Sequence, residues 1–259
     1  MPRLAANLTM MFNELDFMDR FAAAAGAGFK GVEYLFPYGY DKNVLKQKLA
    51  EHKLVQVLHN LPAGNWEAGE RGIACHSDRL AEFEAGVDKA IDYATALGCR
   101  QVNCLAGIRQ SHRDPNDARE TFIRNLQFAA PRLKAAGIKL LIEAINTRDI
   151  PGFFLTNTAQ AIDIIKAVGS DNLFVQYDIY HMQIMEGDLA PTIEKNLELI
   201  PHMQLADTPG RHEPGTGEIN YGFLLAHIDR IGYQGWIGCE YKPAGKTVDG
   251  LGWAKPYLR

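Results

Sequence analysis

The sequence predicts an α/β fold, a single (β/α)8 barrel of the TIM type over residues 1–259, and three observations carry that prediction. The length, 259 residues, is close to the roughly 250 that one such barrel needs. Short β-rich runs alternate with segments of helical period, and the alternation repeats eight times. Several junctions read helix, glycine, strand, as in AAAGAGFKGVEY, TALGCRQVNC, KAAGIKLLIE and RIGYQGWIGCE, as expected when a short connection needs one residue at positive φ.

In chain order the expected strands are LAANLT from residue 4, GVEYLF from 31, LVQVLHN from 54, QVNCLAG from 101, IKLLIEA from 138, LFVQYD from 173, HMQLAD from 202 and GWIGCEY from 235. Among the helices between them are Leu15 to Ala25, Asp78 to Leu97, Asp117 to Ala136 and Asn157 to Val168. Asn157 is placed to cap the helix it precedes, while Gly26, Gly98 and Gly137 fall where helices should stop. Strands alternating with helices imply a parallel sheet with right-handed crossovers, which eight units can close. An open doubly wound sheet is the alternative. Neither a GxGxxG after the first strand nor a P-loop is present, so its nucleotide-binding version has little support.

Composition narrows the partners. Apolar residues make up 47% of the chain and charged residues 22%, enough to bury a large core without disulfides or metal staples. The formal net charge of −4 gives no broad positive field for nucleic acid, so small metabolites are the expected ligands. MPRLAANLTMMF lacks a basic region followed by a long apolar one, and FAAAAGAGF is far too short to span a bilayer, so no membrane partner is expected. A cytoplasmic location follows as the default. Cys75, Cys99, Cys104 and Cys239 form no CxxC pair or zinc-spaced cluster and are read as small buried hydrophobes in a reducing compartment.

Residues 61–77, 107–116 and 207–219 are too long or too polar for tight connections, and all follow strand ends. In a parallel barrel such loops share the rim where active sites are built. Glu143, Asp178, Gln204 and Glu240 stand at or near the carboxyl ends of expected strands five to eight, spaced by 35, 26 and 36 residues, about one β/α unit each. Barrel closure brings all four to one rim, pointing inward if strand alternation holds. Three carboxylates and an amide oxygen at one point repel unless protons or a cation intervene, and an all-oxygen set suits Mg²⁺ or Mn²⁺ better than zinc. An acidic residue at a single strand end also serves merely to cap a helix; the register of all four is what carries the reading.

Two loops feed the same rim. His181 follows Asp178 in YDIYHMQ and is suited to hold a substrate hydroxyl, or else is a helix-entry histidine. Arg211 in TPGRHEPGTGEINY matches a carboxylate bidentately, with surface pairing to Glu213 or Glu218 as the alternative. His59, Asn60 and Lys242 occupy comparable strand-end positions as further polar contacts, and His202 is read as a buried structural histidine one layer below Gln204. Phe12, Phe36, Tyr38, Tyr40 and Trp66 either wall the pocket or pack elsewhere. No GxSxG elbow and no Schiff-base lysine context is present, which disfavours covalent catalysis.

At these residues the chain resembles the hydroxypyruvate isomerase family, within the xylose-isomerase-like barrels that include ketose 3-epimerases. The likeness runs over essentially the whole chain and is most specific in AANLTMMF, VEYLFPY, RHEPGTGEINY, GYQGWIGCEYKP and GLGW. The resemblance implies that Glu143 and Glu240 are proton donor and acceptor, and that Glu143, Asp178, Gln204 and Glu240 form a divalent metal site. The related sugar epimerases usually carry a histidine where this chain has Gln204, and an amide oxygen is the weaker ligand for transition metals. It also implies a small hydroxy-keto acid substrate: hydroxypyruvate, interconverted with tartronate semialdehyde, or a four-carbon 2-oxo-tetronate of the same pattern. A ketose 3-epimerase would use the same two glutamates. A DNA-repair endonuclease on this barrel would need several zinc-binding histidines and a basic groove, and a non-catalytic metabolite-binding barrel would leave the opposed glutamates unexplained. Barrels of this kind are often homo-oligomers, dimers or tetramers, although no residue pattern fixes an interface.

Overall fold

The computed structural model describes residues 1–111 and 114–258, so two positions inside the expected 107–116 loop lie outside the described residues. Eight parallel strands follow one another around a closed barrel: β1 (Arg3–Asn7), β2 (Gly31–Glu33), β3 (Val55–Asn60), β4 (Gln101–Cys104), β5 (Lys139–Glu143), β6 (Leu173–Asp178), β7 (His202–Leu205) and β8 (Trp236–Cys239). β8 pairs with β1, Leu4 opposite Ile237 and Ala6 opposite Cys239, which seals the ring. The helices are α1 (Arg20–Gly26), α2 (Lys42–Glu51), α3 (Leu80–Leu97), α4 (Pro115–Ala135), α5 (Thr158–Val168), α6 (Ile179–Met185), α7 (Leu189–Lys195) and α8 (Tyr221–Arg230). No helix among the described residues is long and apolar enough to cross a membrane.

Local chemistry sets the helix ends. Asn157 accepts the Gln160 N–H at 2.8 Å and starts α5, and Gly98 at φ +68° ends α3. α4 begins two residues earlier than its pattern suggests, because Asp114 accepts the Asn116 N–H at 2.7 Å and nucleates the turn there. The expected helix from Leu15 is shorter: a 3₁₀ turn over Phe17–Asp19 precedes α1. α3 buries Phe83, Val87, Ala90, Ala94 and Leu97 on one stripe against the barrel, each large apolar side chain contributing roughly 1.5–3 kcal/mol.

All the expected strands except three and six end early. β2 stops at Glu33 after a register shift between Val32 and Glu33, and β8 stops at Cys239, one residue before Glu240. Above β3, β4 and β5 the rim loops are stitched by isolated bridges, Gly72 to Ala106 and Ile108 to Phe153. Gly72 stands at φ +115° with the Leu105 carbonyl where a Cβ would lie, so this close crossing requires glycine.

The lumen is layered. Ala5, Val57, Leu58 and Leu141 form a small apolar cluster apart from the main core. At the carboxyl ends of the strands the inward residues turn polar, with Asn7, Glu33, Asn103, Glu143, Gln176, Asp178 and Gln204 all buried.

Candidate active site

Strand ends aim the acidic groups. Glu143 closes β5, Asp178 closes β6, and Glu240 directly follows β8. Asp178 is also the cap of α6: its Oδ1 accepts the N–H of Tyr180 at 2.8 Å and of His181 at 3.2 Å, which winds the chain so that His181 faces back over the strand end. One ligand atom from each of Glu143, Asp178, His181 and Glu240 lies within 4.8 Å of the others, and all four residues are buried. Glu143, His181 and Glu240 line a cavity of about 590 Å³, together with Arg211, Tyr180, Asp149, Trp66, Arg71 and Lys242. A second hollow, of about 490 Å³, opens among Arg3, Arg100, Lys139 and Trp236, away from the carboxylate cluster; the chemistry is at the other rim.

Burial dominates the electrostatics. It raises the Glu143 carboxyl well above the usual carboxylate range, and the neighbouring charges of Glu240 and Asp178 push in the same direction. Burial likewise pushes Glu240 up to about 8, with Arg211 opposing and Asp178 and Glu33 reinforcing. Glu143 accepts Asn103 Nδ2 at 2.8 Å, whereas Glu240 accepts Arg211 Nη2 at 2.7 Å and Asn7 Nδ2 at 3.1 Å. The two carboxyls thus differ in their contacts, an amide on Glu143 and a guanidinium on Glu240. Burial lowers the His181 ring to about 4, so it is neutral near pH 7.

The cluster is suited to a cation. Glu143, Asp178 and Glu240 bring hard oxygen donors together at close range in a buried site, where like charges repel, and a divalent ion supplies the missing positive charge.

The other expected residues distribute as follows. Arg211 pairs not with Glu213 or Glu218 but with Glu240, and it also lies 3.8 Å from Asp178, 3.7 Å from Asp149 and over the Tyr180 ring. Gln204 is buried one step below the cluster, its Oε1 accepting Gln176 Nε2 at 2.6 Å and its Nε2 donating to Glu33 Oε1 at 2.8 Å. Lys242 is exposed at the cavity mouth. His59 is not brought to the cavity. Strand alternation turns its neighbour Asn60 inward, where it accepts Asn103 Nδ2 at 3.2 Å, while His59 faces Tyr38 with Nδ1 3.3 Å from the phenol oxygen. His202 is fully buried, 2.7 Å from Glu33 Oε2. Of the aromatic residues, Trp66 lines the cavity with Phe36 tilted against it; Tyr40 stacks on Phe17 and Phe12 packs edge-on to Phe29.

Sequence reasoning missed the amides and acids that hold the cluster: Asn7, Glu33, Asn103, Asn146, Asp149 and Asp207. Inward parity at the ends of β1 and β4 could have found Asn7 and Asn103. Asp207 organises the loop carrying Arg211 by accepting the N–H groups of Thr208, Gly215, Gly217 and Ile219 at 2.9–3.1 Å. That anchorage holds Arg211 at φ +55°, a conformation that costs a non-glycine residue about 1–3 kcal/mol.

Opposed carboxylates of raised proton affinity, a neutral imidazole and a guanidinium at a barrel's carboxyl rim are the groups from which a proton-transfer site can be built. The family described as xylose isomerase-like TIM barrel matches residues 21–257. The hydroxypyruvate isomerase of Escherichia coli K12 is 53% identical over 99% of this chain and 100% of its own, and the 2-oxo-tetronate isomerase of Cupriavidus necator is 48% identical over 100% and 99%. A crystal structure from Brucella melitensis described as AP endonuclease, family 2, superposes with a TM-score of 0.97 at 49% identity, covering 99% of both chains. The chain belongs to the hydroxypyruvate isomerase family of xylose isomerase-like barrels, and it is an isomerase.

Proposed function

We propose that this isomerase interconverts hydroxypyruvate and tartronate semialdehyde by proton transfer between Glu143 and Glu240. The observation that supports it best is the asymmetric pair itself: two buried carboxylates facing one cavity, one contacted by Asn103 and the other by Arg211. One glutamate, as its carboxylate, takes a proton from the hydroxymethyl carbon of hydroxypyruvate and leaves an enediolate. The other, as its acid, returns a proton to the former carbonyl carbon, while the hydroxyl proton passes to the former carbonyl oxygen; atoms balance and no oxidant enters. Arg211 and Lys242 receive the substrate carboxylate, and His181 holds a substrate oxygen. Glu143, Asp178 and Glu240, with Gln204 below them, would hold Mg²⁺ or Mn²⁺, which when bound supplies electrophilic polarisation of the carbonyl. The four cysteines, free and buried, fit a cytoplasmic setting.

A four-carbon 2-oxo-tetronate is the second reading, favoured by a cavity with room for one more hydroxymethine group and by the relative of that name. A nuclease role is disfavoured by a cluster with one histidine among three carboxylates and by a net charge of −4.

The test is conversion of hydroxypyruvate in D₂O followed by NMR, with and without a chelator. Tartronate semialdehyde carrying solvent deuterium at its hydroxymethine carbon is expected, with a slower rate after chelation. Failure to convert either the three- or the four-carbon acid would remove the proposal.

A further inference from the structure

Asn146 lies three residues beyond Glu143, fully buried in the loop after β5. Its amide is oriented from outside the cluster: Oδ1 accepts the Asp149 backbone N–H at 2.7 Å. Nδ2 is therefore the end turned toward His181, 2.6 Å from the ring Nδ1, with Asp149 Oδ2 a further acceptor at 3.2 Å. Turning the amide over would set Oδ1 against the Asp149 carboxylate and the NH₂ group against a backbone N–H. Both exchanges oppose like partners.

An NH₂ group approaches Nδ1 this closely only when that nitrogen offers a lone pair, so the ring proton belongs on Nε2. Nε2 is the atom facing Asp178 Oδ2 at 3.5 Å and Glu143 Oε1 at 3.9 Å. We propose that Asn146 is a positioning residue that locks His181 in its Nε2–H tautomer, making the ring the hydrogen-bond donor to a substrate oxygen and excluding it from metal coordination. Although His181 stands among four residues close enough to share an ion, a protonated Nε2 has no lone pair to give. Cation binding then falls to the carboxylates. The donor role toward substrate rests on the proposed isomerase chemistry; the tautomer does not.

The experiment is a long-range ¹H–¹⁵N correlation spectrum of the imidazole rings in the full chain, with His181→Asn used only to assign the resonance. The wild type is expected to show a protonated Nε2 and a bare Nδ1 at His181. In Asn146→Asp the new carboxylate accepts from Nδ1–H, so the pattern reverses and kcat falls about 10- to 100-fold, as losses of such outer partners do. With Mn²⁺ alone as probe, pulsed electron paramagnetic resonance should show no imidazole nitrogen coupling in the wild type. A wild-type ring protonated at Nδ1, imidazole coupling to Mn²⁺ in the wild type, or an unchanged tautomer in folded Asn146→Asp would each overturn the proposal. If the tautomer is as stated and hydroxypyruvate is not turned over, the isomerase reading fails alone.

Discussion

Arg211 Nη2 lies 2.7 Å from Glu240 Oε2, so the cation assigned to the substrate carboxylate is also the one that eases ionisation of a proposed catalytic acid–base group. One side chain thus couples binding to proton transfer. Its removal should raise KM for hydroxypyruvate by about 10- to 100-fold, since charge-assisted hydrogen bonds contribute roughly 1.5–3 kcal/mol and each 1.4 kcal/mol is tenfold. Arg211→Lys, which keeps charge but not the bidentate fork, should recover only part of that loss. Steady-state kinetics of both variants decide the matter; an unchanged KM in Arg211→Ala would separate this residue from the substrate.

Glu143→Gln and Glu240→Gln should each lower kcat by about 10²- to 10⁴-fold, the usual contribution of a positioned acid or base. Neither should lower the melting temperature in the metal-free protein. Both carboxyls are held toward their neutral forms by burial, and an amide carries no charge to desolvate. Calorimetry beside the activity assay checks this, and a variant that keeps full turnover removes that glutamate from the mechanism.

Asp207 gives a different signature. Its Oδ2 accepts both Gly215 and Gly217 N–H at 2.9 Å, and Gly217 is packed so closely on Thr208 that a Cβ would strike the Thr208 carbonyl oxygen. Asp207→Asn puts an NH₂ against one set of N–H groups, at a cost of about 1–3 kcal/mol for each donor left without an acceptor. The expected result is a lower melting temperature together with the raised KM of an Arg211 variant, because the same loop carries the guanidinium. A stability loss with unaltered KM would show that the loop holds Arg211 by other means.

The barrel was legible because each β/α unit writes its own signal: alternation of strand and helix, glycine at the junction, spacing of about one unit between strand-end acids. Glu143, Asp178 and Glu240 meet for that reason. His59 was not legible in the same way, since a one-residue error in strand parity turns a side chain from lumen to helix layer, and LVQVLHN offers His59 and Asn60 side by side. Asn7, Asn103 and Asn146 carry no titratable chemistry to draw notice, and the Glu33, Glu240, Glu143 and His181 side chains that they contact are 26 to 233 residues away. Only the closed ring gives them meaning.

His59 supplies a prediction remote from the carboxylate cluster. The ring is fully buried, and burial lowers its affinity for a proton from 6.5 to about 4, against a weaker opposing effect of the Asn60 carbonyl. Between those values the unfolded chain binds a proton that the folded ring refuses, so stability is complete above about 6.5 and declines as pH falls toward 4. The decline from this residue reaches about 3 kcal/mol at most, by the usual conversion of a pKa difference into free energy. His181, also lowered to about 4, adds a decline over the same range, so removing His59 should reduce the acid sensitivity without abolishing it. Urea unfolding of the wild type and His59→Gln at pH 4.5, 5.5 and 7 tests the sign. The variant, which gives up packing against Tyr38, should be the less stable of the two at pH 7, and the gap should narrow steadily toward pH 4.5. Parallel curves across that range would mean that the folded protein accommodates a charged ring at this position, contrary to its enclosure.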